Sequence, residues 1–322
     1  MIKKMDLFNT NNEKAIPQKY SPKFSDYVEK LEPCNFYKAF RMHLNKTIEQ
    51  MSVFYNINWK RLEEGKIELG FMELKKIYDL MPDLDLFFML VKNSIAEKLE
   101  YTGEGFFHLS DGGIKGAISP ISREKCDFGK GFCMGTNLSQ ALGLISQREE
   151  PILYYLNLNL NDNKVKFKNY TIYDWLCVVI HYRGFDYLIR NNRDKAIVRK
   201  HAEDLLKDCN LIYGPIADDK LYYTMSRYLK NMINSDVMIN TTLCMHYGNQ
   251  FTVKTQEVCD LITIKKEYRL TKFEDFVIRE YFKRFLGELD ERIEKVEDEY
   301  WDNNSPNFTN LVKSGGKDYE LL

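Results

Sequence analysis

The chain has 322 residues, room for one large domain or two smaller ones, and its 44% hydrophobic and 29% charged residues are those of an ordinary globular protein. A formal charge of −1 removes any global pull on nucleic acid or an anionic membrane, so such contacts would have to come from a local patch. Seven cysteines, at 34, 126, 133, 177, 209, 244 and 259, form no Cys-x-x-Cys and have no histidine pair at metal spacing beside them, which points to reduced thiols in a cytoplasmic protein and to no metal site.

Residues 1–35 are polar and read as a loose lead-in without the apolar run of a signal peptide. No stretch approaches the ~18 apolar residues of a membrane span, so no membrane partner is expected. From Phe36 the pattern turns helical: Phe36, Phe40, Leu44, Ile48 and Met51, then Leu69, Met72, Leu74, Ile77 and Leu80, closed by Pro82. Asp83 opens an apolar helix to Lys98, which completes a helical domain over 36–98, and the two glycines in 99–105 mark its boundary.

Phe106-Phe107-His108-Leu109-Ser110 predicts a short aromatic strand with His108 at its end, followed by an Asp111-Gly112-Gly113 turn. The loop from Cys126 to Thr136 holds Phe128, Phe132 and Met134 among Gly129, Gly131 and Gly135, a composition suited to shaping a pocket. Asn137 caps a helix to Arg148. Ile152 to Leu160 alternates from Tyr155 onward, the signal of a half-buried strand, Val165 to Tyr170 continues the sheet, and Thr171 to Tyr182 is a helix. Arg190 to Lys207 reads as surface loop and helix. Asn210 to Pro215 is a short strand, Lys220–Asn234 and Val237–Tyr247 are helical, and Asn249–Thr255 and Thr263–Leu270 are strands. Asp218-Asp219 reads as a capped helix start, since no further carboxylates lie at metal-ligand spacing. In the last helix, 273–301, Phe282, Leu286, Leu289, Ile293, Val296 and Tyr300 make a seam too short for a dimeric coiled coil, so it is expected to pack back on the body, leaving 302–322 as a flexible tail.

Thr47-Ile48-Glu49-Gln50, Ile57-Asn58, Leu62-Glu63-Glu64-Gly65-Lys66 and Leu74-Lys75-Lys76-Ile77 together resemble the helix-turn-helix of phage-repressor-type regulators. That resemblance implies DNA as a partner of the N-terminal domain. The segment between Ile57 and Leu62 is about three residues shorter than the family usually allows, almost a turn of the groove-entering helix. A helical bundle that keeps the ancestry without DNA binding is therefore the reading weighed against it.

Phe107-His108-Leu109-Ser110, the Cys126–Thr136 loop, Gly214-Pro215-Ile216-Ala217-Asp218-Asp219 and Asn249-Gln250-Phe251-Thr252-Val253-Lys254-Thr255 come in an order that resembles the ADP-ribosyltransferase superfamily, in a poorly characterised bacterial branch fused behind a helix-turn-helix. The resemblance spans 106–270. It implies an α+β chain: a helix-turn-helix-like bundle, a split β-sheet domain and a C-terminal helix. It also implies NAD as the substrate, with nicotinamide leaving and ADP-ribose passing to a protein or nucleic-acid acceptor. On the matching positions His108 holds a ribose, Leu109 offers its backbone to the nicotinamide, Ser110 is the small hydroxyl residue of the cofactor-binding strand, and Gly129, Gly131, Phe132 and Cys133 form the cofactor-binding loop. Gln250 stands where the family has the glutamate that orients the nicotinamide ribose. The chain departs from the pattern with Leu109 for glycine, Cys133 for tyrosine and Gln250 for glutamate. Two readings follow: a mono-ADP-ribosyltransferase with His108 and Gln250 as catalytic residues, and a degenerate module that binds a nucleotide or partner without turnover.

Overall fold

The computed structural model describes residues 31–80, 83–122, 126–159, 162–167, 171–207, 209–216, 221–244, 249–301 and 304–316. The lead-in up to residue 30, Pro82, the end of the 165–170 segment and Asp218-Asp219 lie outside them. The fold is α+β.

The N-terminal helices are α1 (Phe36–His43), α2 (Ile48–Tyr55), α3 (Trp59–Glu63), α4 (Phe71–Asp79) and α5 (Leu84–Lys98). Local chemistry sets their starts: Asn35, Thr47, Asn58 and Asp83 each accept a backbone N–H of the first turn, and Thr47 with Gln50 forms a capping box. Helix α3 is only five residues long, with Trp59 and Leu62 buried and Lys60 and Arg61 exposed. Glu63 fastens it down, accepting from Trp59 Nε1 at 2.9 Å and Arg41 Nε at 2.6 Å.

Next come β1 (Phe106–Asp111), β2 (Phe132–Gly135), α6 (Leu138–Gly143), β3 (Pro151–Leu158), α7 (Ile172–Tyr182), α8 (Asn192–Leu206), β4 (Leu211–Pro215), α9 (Leu221–Leu229), α10 (Ser235–Cys244), β5 (Asn249–Val253), α11 (Gln256–Cys259) and β6 (Ile262–Arg269). His108 therefore lies inside β1 and not at its end. The segment expected to continue the sheet from Val165 makes only an isolated parallel bridge, Phe167 to Leu211.

All six strands join one antiparallel sheet in the order β4-β5-β2-β1-β3-β6. Where the resemblance implies a split sheet, the structure has one six-stranded sheet; its weakest pairing is a seam, for among the described residues β1 meets β3 at six register positions but β2 only at Phe107↔Gly135. Past that pair β1 and β2 share no further register position among the described residues, so the seam lies between β4-β5-β2 on one side and β1-β3-β6 on the other.

Side-chain alternation divides the sheet into two faces. The front carries Phe106, Phe132, Met134, Tyr154, Phe251 and Val253 in one cluster. The back is covered by helices in two blocks. Under β1 and β3, Phe107, Leu109, Leu153 and Tyr155 share a core with α1–α6 and with Phe273, Val277 and Ile278. Under β4, Ile212 and Phe128 pack with α7–α10 and the C-terminal segment. The expected boundary at 99–105 is part of the first block, with Leu99 and Tyr101 buried and the Tyr155 hydroxyl donating to Glu104 O.

The C-terminal helix is in fact two, α12 (Lys272–Gly287) and α13 (Leu289–Tyr300), meeting at Glu288, and its apolar seam does pack back: Leu289 and Val296 are buried in the second block. The expected flexible tail needs correction between 304 and 316. Helix α14 (Phe308–Ser314) is capped by Asn307 and buries Phe308, Leu311 and Val312 in that same block.

Candidate functional site

The seam between β1 and β2 is bridged by His108. Its Nδ1 donates to the backbone carbonyl of Cys133 at 2.7 Å, in the region where the ladder has lapsed. Because the carbonyl can only accept, the proton sits on Nδ1 and Nε2 is left as an acceptor. The ring lies 4.5 Å from the Phe132 ring, tilted by 31°, with Tyr154 6.3 Å away on the other side. Burial among these rings pushes the imidazole pKa down to about 4, so it is neutral near pH 7. Ser110 shares this front face two positions on, half-buried. Leu109 points the other way and is buried in the core beneath β1, clear of His108.

The glycine loop is shaped by close approach. Gly129 has φ +70°, and a Cβ there would lie 2.5 Å from Tyr182 Cδ1; at Gly131 a Cβ would meet the Thr252 methyl and the Val253 carbonyl. Glycine alone fits both places. Phe132 faces His108 on the front, whereas Cys133 faces the back, with Sγ 3.4 Å from Thr252 Oγ1. Burial pushes the Cys133 thiol up to about 11, which keeps it protonated and unreactive.

Gln250 also faces the back. Its register partners Gly135 and Gly214 have their Cβ directions occupied by Gln140 and by Phe128 and Trp175, all on the helix-covered side. Thus His108 and Gln250, both expected to hold ribose, project from opposite faces and do not meet in a single pocket. What Gln250 does meet is Asp127: its Nε2 donates to Asp127 Oδ2 at 2.7 Å. Arg183 Nε donates to the other oxygen at 2.5 Å, and this carboxylate is only 4% exposed. Helix α7, started by the Thr171–Asp174 capping box and tied to α8 by Asp174 and His201 at 2.7 Å, delivers Arg183 from its C-terminal end. Lys254 closes the group, its Nζ donating to the carbonyls of Phe128 at 2.6 Å and of Lys130, over the Tyr182 ring.

Asp127, Tyr182, Arg183 and Lys254 were not singled out from the sequence as site residues. Asp127 and Lys254 lie inside the two motifs that were, so the signal for them was an acid just ahead of the glycines and a base in the same strand motif as the glutamine. Arg183 and Tyr182 carried none, since only the packing of α7 brings them to the loop. Among the described residues no group of three or more His, Cys, Asp or Glu could hold a metal ion, and no helix is long and apolar enough to cross a membrane.

A family model described as a protein of unknown function (DUF3990) matches residues 105–264. That span starts just before β1 and ends within β6, so it takes in the seam, the glycine loop, Asp127 and Gln250. No curated protein and no solved structure matches the chain.

Proposed function

We propose that the chain is an NAD-dependent mono-ADP-ribosyltransferase-like protein that binds NAD across the β1–β2 seam and passes its ADP-ribose to a macromolecular acceptor. The observation that carries this reading is His108 in the seam, a neutral imidazole with Nδ1 committed to Cys133 O and Nε2 left to accept a ribose hydroxyl. Phe132 beside it gives an aromatic surface in place of the tyrosine that Cys133 replaces. Loss of nicotinamide leaves an oxocarbenium-like sugar, which is stabilised by hydrogen bonds to its hydroxyls in a preorganised site. Gln250 supplies such a bond but takes no proton, so a single transfer fits the site better than chain growth. The short α3, with its two large residues buried, favours a structural role for the N-terminal helices over reading of a DNA groove.

The opposed faces of His108 and Gln250 favour a second reading, a seam that binds a nucleotide without turnover. Incubation of purified protein with labelled NAD separates the two. Nicotinamide release that falls about 10-fold or more in both His108→Ala and Gln250→Ala, the loss of one or two hydrogen bonds in the transition state, is the expected result. Unchanged release in both variants removes the mechanism. A rise in melting temperature with NAD but no release establishes binding alone.

A further inference from the structure

The Asp127–Gln250 contact refines the transferase reading and rests on it. We propose that Asp127 is a positioning residue that fixes the Gln250 carboxamide so that its oxygen, and not its NH2 group, is presented to the NAD ribose. A carboxamide carries one acceptor oxygen and one two-proton donor, and an unrestrained glutamine can present either. Here Nε2 donates to Asp127 Oδ2 at 2.7 Å, and an ionised carboxylate can only accept, so the amide cannot turn over. Arg183 at 2.5 Å from Oδ1 holds the carboxylate in place, and its burial keeps water from competing for the contact. Gln250 Oε1 is thereby made a permanent acceptor, which is the property that the glutamate at this position in the resembled family would supply. In the reaction the bond from C1′ of the ribose to the nicotinamide nitrogen breaks and its electron pair leaves with nicotinamide. A bond forms from C1′ to the acceptor's nucleophilic atom, whose proton passes to water. Oε1 accepts from a ribose hydroxyl throughout, and that bond strengthens as the sugar becomes cationic.

The test exchanges the two groups in the full chain. Asp127→Asn can hydrogen-bond Gln250 in either sense, so kcat for nicotinamide release is expected to fall about 10- to 100-fold while the NAD-induced melting shift persists. In the double variant Asp127→Asn/Gln250→Glu the amide at 127 donates to the carboxylate at 250, which again offers an acceptor oxygen to the ribose. Release is expected to return to within about threefold of the unaltered protein, a recovery that a purely structural Asp127 would not give. A folded double variant as slow as Asp127→Asn overturns the proposal. Should Asp127→Asn fail to fold, Gln250→Glu alone decides: two carboxylates at hydrogen-bond distance share a proton, so turnover is expected to fall as pH rises through the raised pKa of the pair. A pH profile superimposable on that of the unaltered protein overturns the proposal. Absence of both release and melting shift in the unaltered protein overturns the transferase reading itself, and this proposal with it.

Discussion

His108 couples the seam to pH. Its ordinary pKa of 6.5 is lowered to about 4 in the fold, chiefly because burial penalises the imidazolium, although the Cys133 carbonyl opposes the shift. The unfolded chain therefore binds the proton more readily, and stability rises with pH between about 4 and 6.5. For this ring the effect over that window is at most about 3 kcal/mol, reduced by solvent screening because its burial is incomplete. Urea midpoints at pH 4.5 and 7 should differ less in His108→Gln, whose amide can still donate to Cys133 O but does not titrate. Equal pH dependence in the two proteins would show that another group controls the acid side. The two glycines of the loop illustrate the same point without charge. At Gly129 the backbone conformation and the Tyr182 ring each exclude a side chain, so the loop cannot drift from the residues it touches.

Among the elements, those with a local cause were legible from the residues themselves. Asn137 and Thr171 cap the helices they were expected to start, and a strand does form where Leu156, Asn157 and Leu158 alternate, although Ile152 to Leu156 are buried on both faces and not on one as expected. Elements whose cause is tertiary were not. The spacing from Phe282 to Tyr300 runs unbroken across Glu288, so nothing in it announces that α12 ends and α13 begins, the first facing one core and the second the other. Phe308, Leu311 and Val312 are set among Asn, Ser and Lys and read as tail, yet α8 and α9 offer a surface that buries them. In the site, the motifs picked out His108, the glycine loop and Gln250, but they could not show that Gln250 turns to the back and His108 to the front. Nor could they pair Asp127 with Arg183, 56 positions away along the chain. If α14 belongs to the core, Phe308→Ala should cost about 3–5 kcal/mol in denaturant unfolding. A change within about 0.5 kcal/mol would return the segment to the surface.

At the scale of the whole molecule, the N-terminal helices are not an appendage. Phe36, Phe87 and Phe273 form one aromatic cluster with ring centroids 5.5–5.8 Å apart, and Phe88 stacks on Tyr281 at 3.9 Å. Glu274 binds the three partners together, accepting from Lys98 on α5, Tyr268 on β6 and Thr271 at the start of α12. Removal of residues 1–80 would uncover the apolar faces of α5 and α12. The shortened chain is expected to aggregate or to lose its cooperative melting transition, as checked by size-exclusion chromatography and calorimetry. A monomeric product with an unchanged transition would show instead that the helices form an independent domain.

The strand order also constrains when the molecule can assemble on the ribosome. Along the chain the strands alternate between the two halves of the sheet: β1 to one, β2 to the other, β3 back, β4 and β5 across, β6 back again. Neither half is a contiguous stretch, and the core under β1 and β3 draws on residues from Phe36 to Phe282. Synthesis at about 5–20 residues per second leaves the early strands waiting many seconds for the partners that bury them. The nascent chain thus needs its apolar segments shielded until α12 has emerged to complete the core under β1 and β3, and until α13 and α14 have emerged to complete the other.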